Sequence, residues 1–161
     1  MIKTVDIGYT SALDYWHRAA NPAYMRFRDT PTKENAIECA QAIEDLRGWR
    51  WRDLHAGIDP RAQPQVYEAH TRNLFAACPD LAPIRDIAES AKHGGELGRG
   101  SVRVKSIKGS GIGGIEQVSS PFGMHERKPE CTLQAEFDDG SEKSIPEMLR
   151  RAIEYWRNEL F

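Results

Sequence analysis

Along residues 78–100, CPDLAPIRDIAESAKHGGELGRG, the apolar side chains Leu81, Ile84, Ile87, Ala88 and Ala91 recur at spacings of three and four. That period predicts one inward stripe on a helix. Asp80 stands where an N-cap is needed, and Pro83 falls in the first turn, where its missing N–H costs nothing. Gly94 and Gly95 supply a left-handed stop after Lys92 and His93, cations that suit the negative end of the helix dipole. Arg85, Asp86, Glu89, Ser90 and His93 fall on the opposite, polar face.

The same reading extends to both sides of this stretch. Ile2 to Ile7 alternates weakly, as a short edge strand or a disordered lead. Ser11 with Asp14 has the spacing of a capping box, and Leu13, Trp16 and Ala20 follow one face until Asn21-Pro22 ends that helix. A short helical turn, Ala23 to Arg28, contributes Tyr24 and Phe27. Thr30-Pro31 has an N-cap and N1 signature. It opens the longest helical pattern, running to His55 with Ala36, Cys39, Ala40, Ile43, Leu46 and Leu54 inward. Trp49 and Trp51 lie two apart, so either the core face is broad or one of them caps the bundle edge or faces a partner. GIDPRAQP, residues 57–64, is a loop by composition, and Pro64 opens a helix with Tyr67, Leu74 and Cys78 on one side that ends at Pro79.

Past Gly100 the period shortens to two. Val102 and Val104 alternate with Arg103 and Lys105, and Leu133, Ala135 and Phe137 alternate with Gln134 and Glu136, which is the signature of strands with one face covered. Between them, residues 109–128 are rich in Gly, Ser and Pro and predict a long hairpin or a mobile loop. Asp139-Gly140 marks a tight turn. Ser144 with Glu147 repeats the capping box, and Leu149, Ala152, Ile153, Trp156 and Leu160 make the cleanest amphipathic helix, over 144–160. The expected fold is α+β: a single domain over residues 1–161, with an N-terminal bundle of about four helices over 11–93, a small antiparallel sheet over 101–138 and a C-terminal amphipathic helix.

Composition narrows the function classes. At 161 residues the chain is long enough to bury a real core. A formal charge of −2 gives no global pull towards nucleic acid or an anionic membrane. Cys39, Cys78 and Cys131 are three in number, far apart and without a CxxC, so reduced thiols in a cytoplasmic protein are expected. No apolar run reaches signal-peptide or membrane-span length.

Candidate chemistry is sparse. Gly109 to Gly114 spells GxGxxG, but a dinucleotide fold needs that string between a strand and a helix, and Ile115 to Pro121 has no helical period. No cofactor is therefore expected. Beside this loop, Arg103, Lys105 and Lys108 suit a phosphate or an RNA backbone, although the near-neutral overall charge favours a basic edge that discourages sheet-to-sheet pairing. Asp14 and His17 share a helix face, with His55 and His70 as further ligands to consider, but the ligand set is short and no metal is expected. Asp86, Ser90 and His93 lie in line with the serine in the middle, which is the wrong order for a triad. Glu89 stands one turn before His93 and favours its imidazolium form. This face reads first as a solvated one with ordinary pairs; the sharper reading is a polar site at the helix-to-strand junction, with Arg85 and His93 as its working groups and Glu89 and Lys92 beside them.

Two strings carry a resemblance. Arg50-Trp-Arg-Asp-Leu-His55 spaces an arginine and a histidine as small helical ribonucleases of the HEPN type do. The run from Cys78 to His93, with the Asp139-Gly140 turn and the Trp156 helix, resembles uncharacterised bacterial helical-bundle proteins that are loosely HEPN-like and place a helix ending in Lys-His before a strand region. The resemblance implies a helical bundle and a bacterial or mobile-element origin. For Arg50 and His55 it implies the groups that let a ribose 2′-hydroxyl attack its own phosphate; Arg85 and His93 are the other pair considered. Two functions are thus expected. One is a non-catalytic accessory protein with a protein partner, a second copy in a homodimer being one form of it. The other is a metal-independent ribonuclease acting on RNA, with histidine as general acid or base and arginine stabilising the phosphorane.

Overall fold

The structure is a computed structural model and describes residues 8–56, 58–92, 103–111, 116–127 and 131–161. Helices α1 (Ala12–Tyr15), α2 (Asn21–Asp29), α3 (Lys33–Leu54), α4 (Pro64–Ala77) and α5 (Leu81–Lys92) build the bundle, and α6 (Ile145–Leu160) returns to it. Helix α3 is central, with α1, α2, α4, α5 and α6 against it. Strands β1 (Val104–Lys108), β4 (Gln134–Phe137) and β5 (Glu142–Ser144) form an antiparallel sheet in the order β1-β4-β5, while β2 (Glu116–Ser120) and β3 (Gly123–Arg127) pair with each other as a hairpin. The fold is α+β, with a helical bundle, a small sheet and a C-terminal helix, as the periodicities indicate.

Local chemistry explains most boundaries. The Ser11 hydroxyl accepts from Asp14 N at 3.0 Å, and the Asp14 carboxylate takes the Thr10 amide, also at 3.0 Å, so the N-terminus of α1 is capped from both sides. The Ser144 hydroxyl likewise accepts from Glu147 N at the start of α6. Two expectations fail here. Asn21-Pro22 does not end a helix: Trp16–Ala20 widens into a π-helical turn in which Asn21 N–H reaches back to Trp16 O, and α2 follows without a break. A proline normally clashes with the carbonyl four residues back, and a π-turn just ahead of it gives the ring room. Nor do Thr30-Pro31 open the long helix. Thr32 caps it, accepting from Asn35 N at 3.1 Å, while the Asn35 side chain holds Thr30 O at 2.7 Å.

The core is one cluster shared by bundle and sheet. Ile43 and Leu46 of α3, Leu81, Ile84 and Ile87 of α5, Val104, Ala135 and Phe137 of the sheet, and Leu149, Ile153 and Trp156 of α6 all belong to it. Leu54, expected inward, is exposed; Trp51 takes the buried place near the end of α3 and donates its indole N–H to Ile58 O at 3.1 Å. Trp49 is half-buried, stacked on Tyr15 with ring centroids 5.9 Å apart. Asp86, expected on the solvated face of α5, is also buried, because β1 covers that side of the helix. The sheet keeps its alternation, with Leu133, Ala135 and Phe137 buried and Gln134 and Glu136 half-exposed. The stretch 109–128 carries the β2–β3 hairpin. The edge strand at Ile2–Ile7, the stop at Gly94-Gly95, His93, the change of period at Gly100, Val102 and residues 112–114 of the glycine-rich string lie outside the described residues.

Candidate functional site

The cavity that best combines apolar walls with convergent polar groups lies at the corner where α4 hands over to α5, facing the β4–β5 turn. Cys78 N closes on Leu74 O at 2.9 Å and Leu81 N on Cys78 O at 3.1 Å, so α5 starts within three residues of the end of α4. Phe75, Pro79, Ala82 and Pro83 form one wall and Phe137 the other, around about 410 Å³. That volume suits a small ligand.

Arg85 and Lys143 bring cations to this cavity. The Arg85 guanidinium lies over the Phe75 ring at 4.9 Å, and the Lys143 ammonium lies 5.9 Å from the centre of the Phe137 ring. Such contacts hold a cation weakly. Arg85 Nε is sealed from solvent without a hydrogen-bond partner among the described residues, an arrangement that costs roughly 1–3 kcal/mol. The acids around the cavity are engaged within the chain. Asp86 accepts from Val104 N at 3.4 Å. Burial pushes its carboxyl above the ordinary value, against the opposing pull of the Val104 N–H and of Arg85. Asp139 accepts from both the Ser141 hydroxyl, at 2.5 Å, and Ser141 N, at 2.9 Å, and these two bonds hold its pKa low.

Glu89, one turn along α5 from Arg85, faces a second cavity of about 400 Å³ with Glu44, Arg47 and Tyr67 among its lining. Glu44 pairs with Arg47, and Arg47 also donates to Thr71 Oγ1 at 2.8 Å and lies over the Tyr67 ring at 5.2 Å. Burial raises the Glu44 carboxyl in spite of this pairing. Arg85 and Glu89 are therefore half-buried members of a seam between α3, α4 and α5, rather than a solvated face. The partner expected for both, His93, lies outside the described residues, as does the side chain of Lys92.

Arg50 and His55 sit near the end of α3. The His55 ring stacks on Trp51 with centroids 3.7 Å apart, and its Nδ1 lies 3.3 Å from Trp51 O. His70 of α4 comes within 6.4 Å of the His55 ring, and its Nε2 is 3.3 Å from Arg47 O. Burial first, and then the charges of His55, Arg47 and Arg50, hold the His70 pKa below its ordinary value. The basic strand is matched rather than open: Lys105 reaches Glu136 at 3.7 Å, and Lys108 contacts Glu136 and reaches Glu142 at 3.5 Å. Arg103 precedes β1, and its carbonyl accepts from Asp138 N at 3.0 Å.

Phe75, Lys143 and His70 had no strong sequence signal. Phe75 lies off the Tyr67–Leu74–Cys78 stripe, Lys143 follows a turn, and His70 is fifteen positions from His55. At the tip of the hairpin Phe122 is 100% exposed and Met124 63%. Among the described residues no helix is long and apolar enough to cross a membrane. Comparison with protein-family models, curated proteins and solved structures finds no match.

Proposed function

We infer that the chain is a non-catalytic interaction protein that docks a protein partner through the β2–β3 hairpin. The observation that carries this reading is the complete exposure of Phe122 at the turn, with Met124 beside it. A large aromatic side chain held on a tight turn and left in water is the form of an interface anchor, which gains its energy by entering a partner's pocket. Two side chains are too little for the roughly 800 Å² per partner that a flat, stable interface covers. This favours a partner with a receptive apolar pocket over a symmetric face-to-face dimer. Replacing Phe122 by a photo-crosslinking phenylalanine and irradiating in bacterial extract should trap one discrete protein, and Met124→Asp should abolish the adduct. Adducts spread over many proteins, or one insensitive to Met124→Asp, would overturn this reading; an adduct only with the chain itself would make the partner a second copy.

A second reading, an RNA-cleaving enzyme, draws support from the grouping of Arg50, His55 and His70 at one end of α3 and α4. In it, a histidine would relay the proton of the 2′-hydroxyl and Arg50 would face the phosphate. RNA left intact by excess wild-type protein disposes of it, and cleavage unaffected by His55→Ala removes that assignment.

A further inference from the structure

We propose that the cavity between the α4–α5 corner and the β4–β5 turn binds a flat apolar group bearing a carboxylate, such as an aromatic acid or the C-terminal aromatic residue of a peptide. The shape comes from the walls: Phe75 with Pro79, Ala82 and Pro83 on one side and Phe137 on the other leave about 410 Å³ for a ring to enter. The charge preference comes from which polar groups are already used. Asp86 spends an oxygen on the Val104 amide, and Asp139 takes both donors of Ser141. Arg85 and Lys143 are held over ring faces at 4.9 and 5.9 Å and make no ion pair among the described residues.

Arg85 supplies the second, independent observation. Its Nε is buried without a partner among the described residues although the same side chain lines the cavity. A modest turn of the guanidinium away from Phe75 would present Nε and one Nη side by side, the fork that a carboxylate accepts in bidentate fashion. Lys143, on the opposite wall, would contribute a point charge to the same group. The Phe75 face, relieved of the guanidinium, is then free to stack on the entering ring. A purely apolar ligand leaves the Arg85 donor unpaired, and a cationic one gains nothing from it.

The test is a titration of the whole chain, followed by amide NMR, with phenylacetate, phenylacetamide and phenethylamine, and with a short peptide ending in phenylalanine as free acid or C-terminal amide. Saturable binding of phenylacetate or of the free-acid peptide is expected, with shifts at Phe75, Arg85, Phe137 and Lys143, and with the uncharged analogue weaker by about tenfold or more. Phenylacetate binding points to a free small acid; binding of the free-acid peptide alone points to a chain terminus. Arg85→Ala should weaken the bound acid about tenfold, and Lys143→Ala, at an exposed position that does not threaten folding, severalfold. Phe122→Asp should leave it unchanged, which separates this site from the hairpin. The proposal is overturned if amide and acid bind equally, if no acid saturates, or if Lys143→Ala and Arg85→Ala have no effect.

Discussion

Asp86 shows how one residue's surroundings reverse a reading taken from its chemistry. Burial raises its carboxyl from an ordinary value of 3.8. The folded chain therefore holds this proton more tightly than the unfolded one. The stabilisation linked to it is complete below the unfolded pKa and is lost as pH rises through the folded one. Replacing the carboxylate by an amide removes the charge while keeping the shape, so Asp86→Asn should flatten this part of the profile. Urea denaturation of both proteins between about pH 4 and about pH 7 should show the variant gaining on the wild type as pH rises. A gap that stays constant across that range would mean that Asp86 has the same pKa folded and unfolded. The burial of Asp86 was not legible in the sequence. Leu81, Ile84, Ile87 and Ala88 marked the stripe against α3 correctly, but a charged residue beside that stripe reads as solvated unless β1 is known to close over it. Arg85 was legible as a polar-face residue of α5 from the apolar period alone. Its stacking partner, Phe75, was not, since that contact depends on the angle between α4 and α5.

At the scale of elements, glycines separate positions that need them from positions that tolerate them. Gly109 adopts φ +87°, and a Cβ on it would lie 2.2 Å from Thr132 O; a Cβ on Gly111 would lie 2.3 Å from Pro31 O and 2.7 Å from Thr32 Cα. Both obstacles are backbone: Gly109, at the end of β1, is pressed against the chain entering β4, and Gly111 against the α2–α3 connection, so these two of the GxGxxG glycines are there for packing. Gly111→Ala should then cost about 1–3 kcal/mol. Gly48 is the opposite case: it lies inside α3, with nothing within 4 Å of an added Cβ. Gly48→Ala should stabilise the protein by about 0.5–1 kcal/mol, because alanine gives up less backbone freedom in a helix. Thermal denaturation of the two variants should move the midpoint in opposite directions; a shared sign would contradict the packing at one of the two sites. Elements set by periodicity or capping alone, such as α5 and α6, were readable in advance. The join through Pro22 was not, because a π-turn leaves no mark in the spacing of apolar residues.

For the whole molecule, the decisive fact is that bundle and sheet share one core. Trp156 of α6 is fully buried in the cluster that also holds Leu46, Ile87, Val104 and Phe137. Removing this side chain takes support from both halves at once. Trp156→Ala should cost about 3–5 kcal/mol, as large-to-small changes in well-packed cores do. The indole N–H is buried without a partner among the described residues, so Trp156→Phe loses volume but also removes an unsatisfied donor and should cost clearly less. If the core is continuous, amide hydrogen exchange in α3 and in β4 should accelerate by the same factor in Trp156→Ala. Faster exchange in β4 alone would mean that the sheet is a separate unit leaning on the bundle. The same measurement bears on the cavity at the α4–α5 corner, because its two aromatic walls, Phe75 and Phe137, come one from each half. A ligand that bridges them binds only when both are folded and should slow exchange in α4 and β4 together. With a divided core, its protection would appear only in the half to which it bound first.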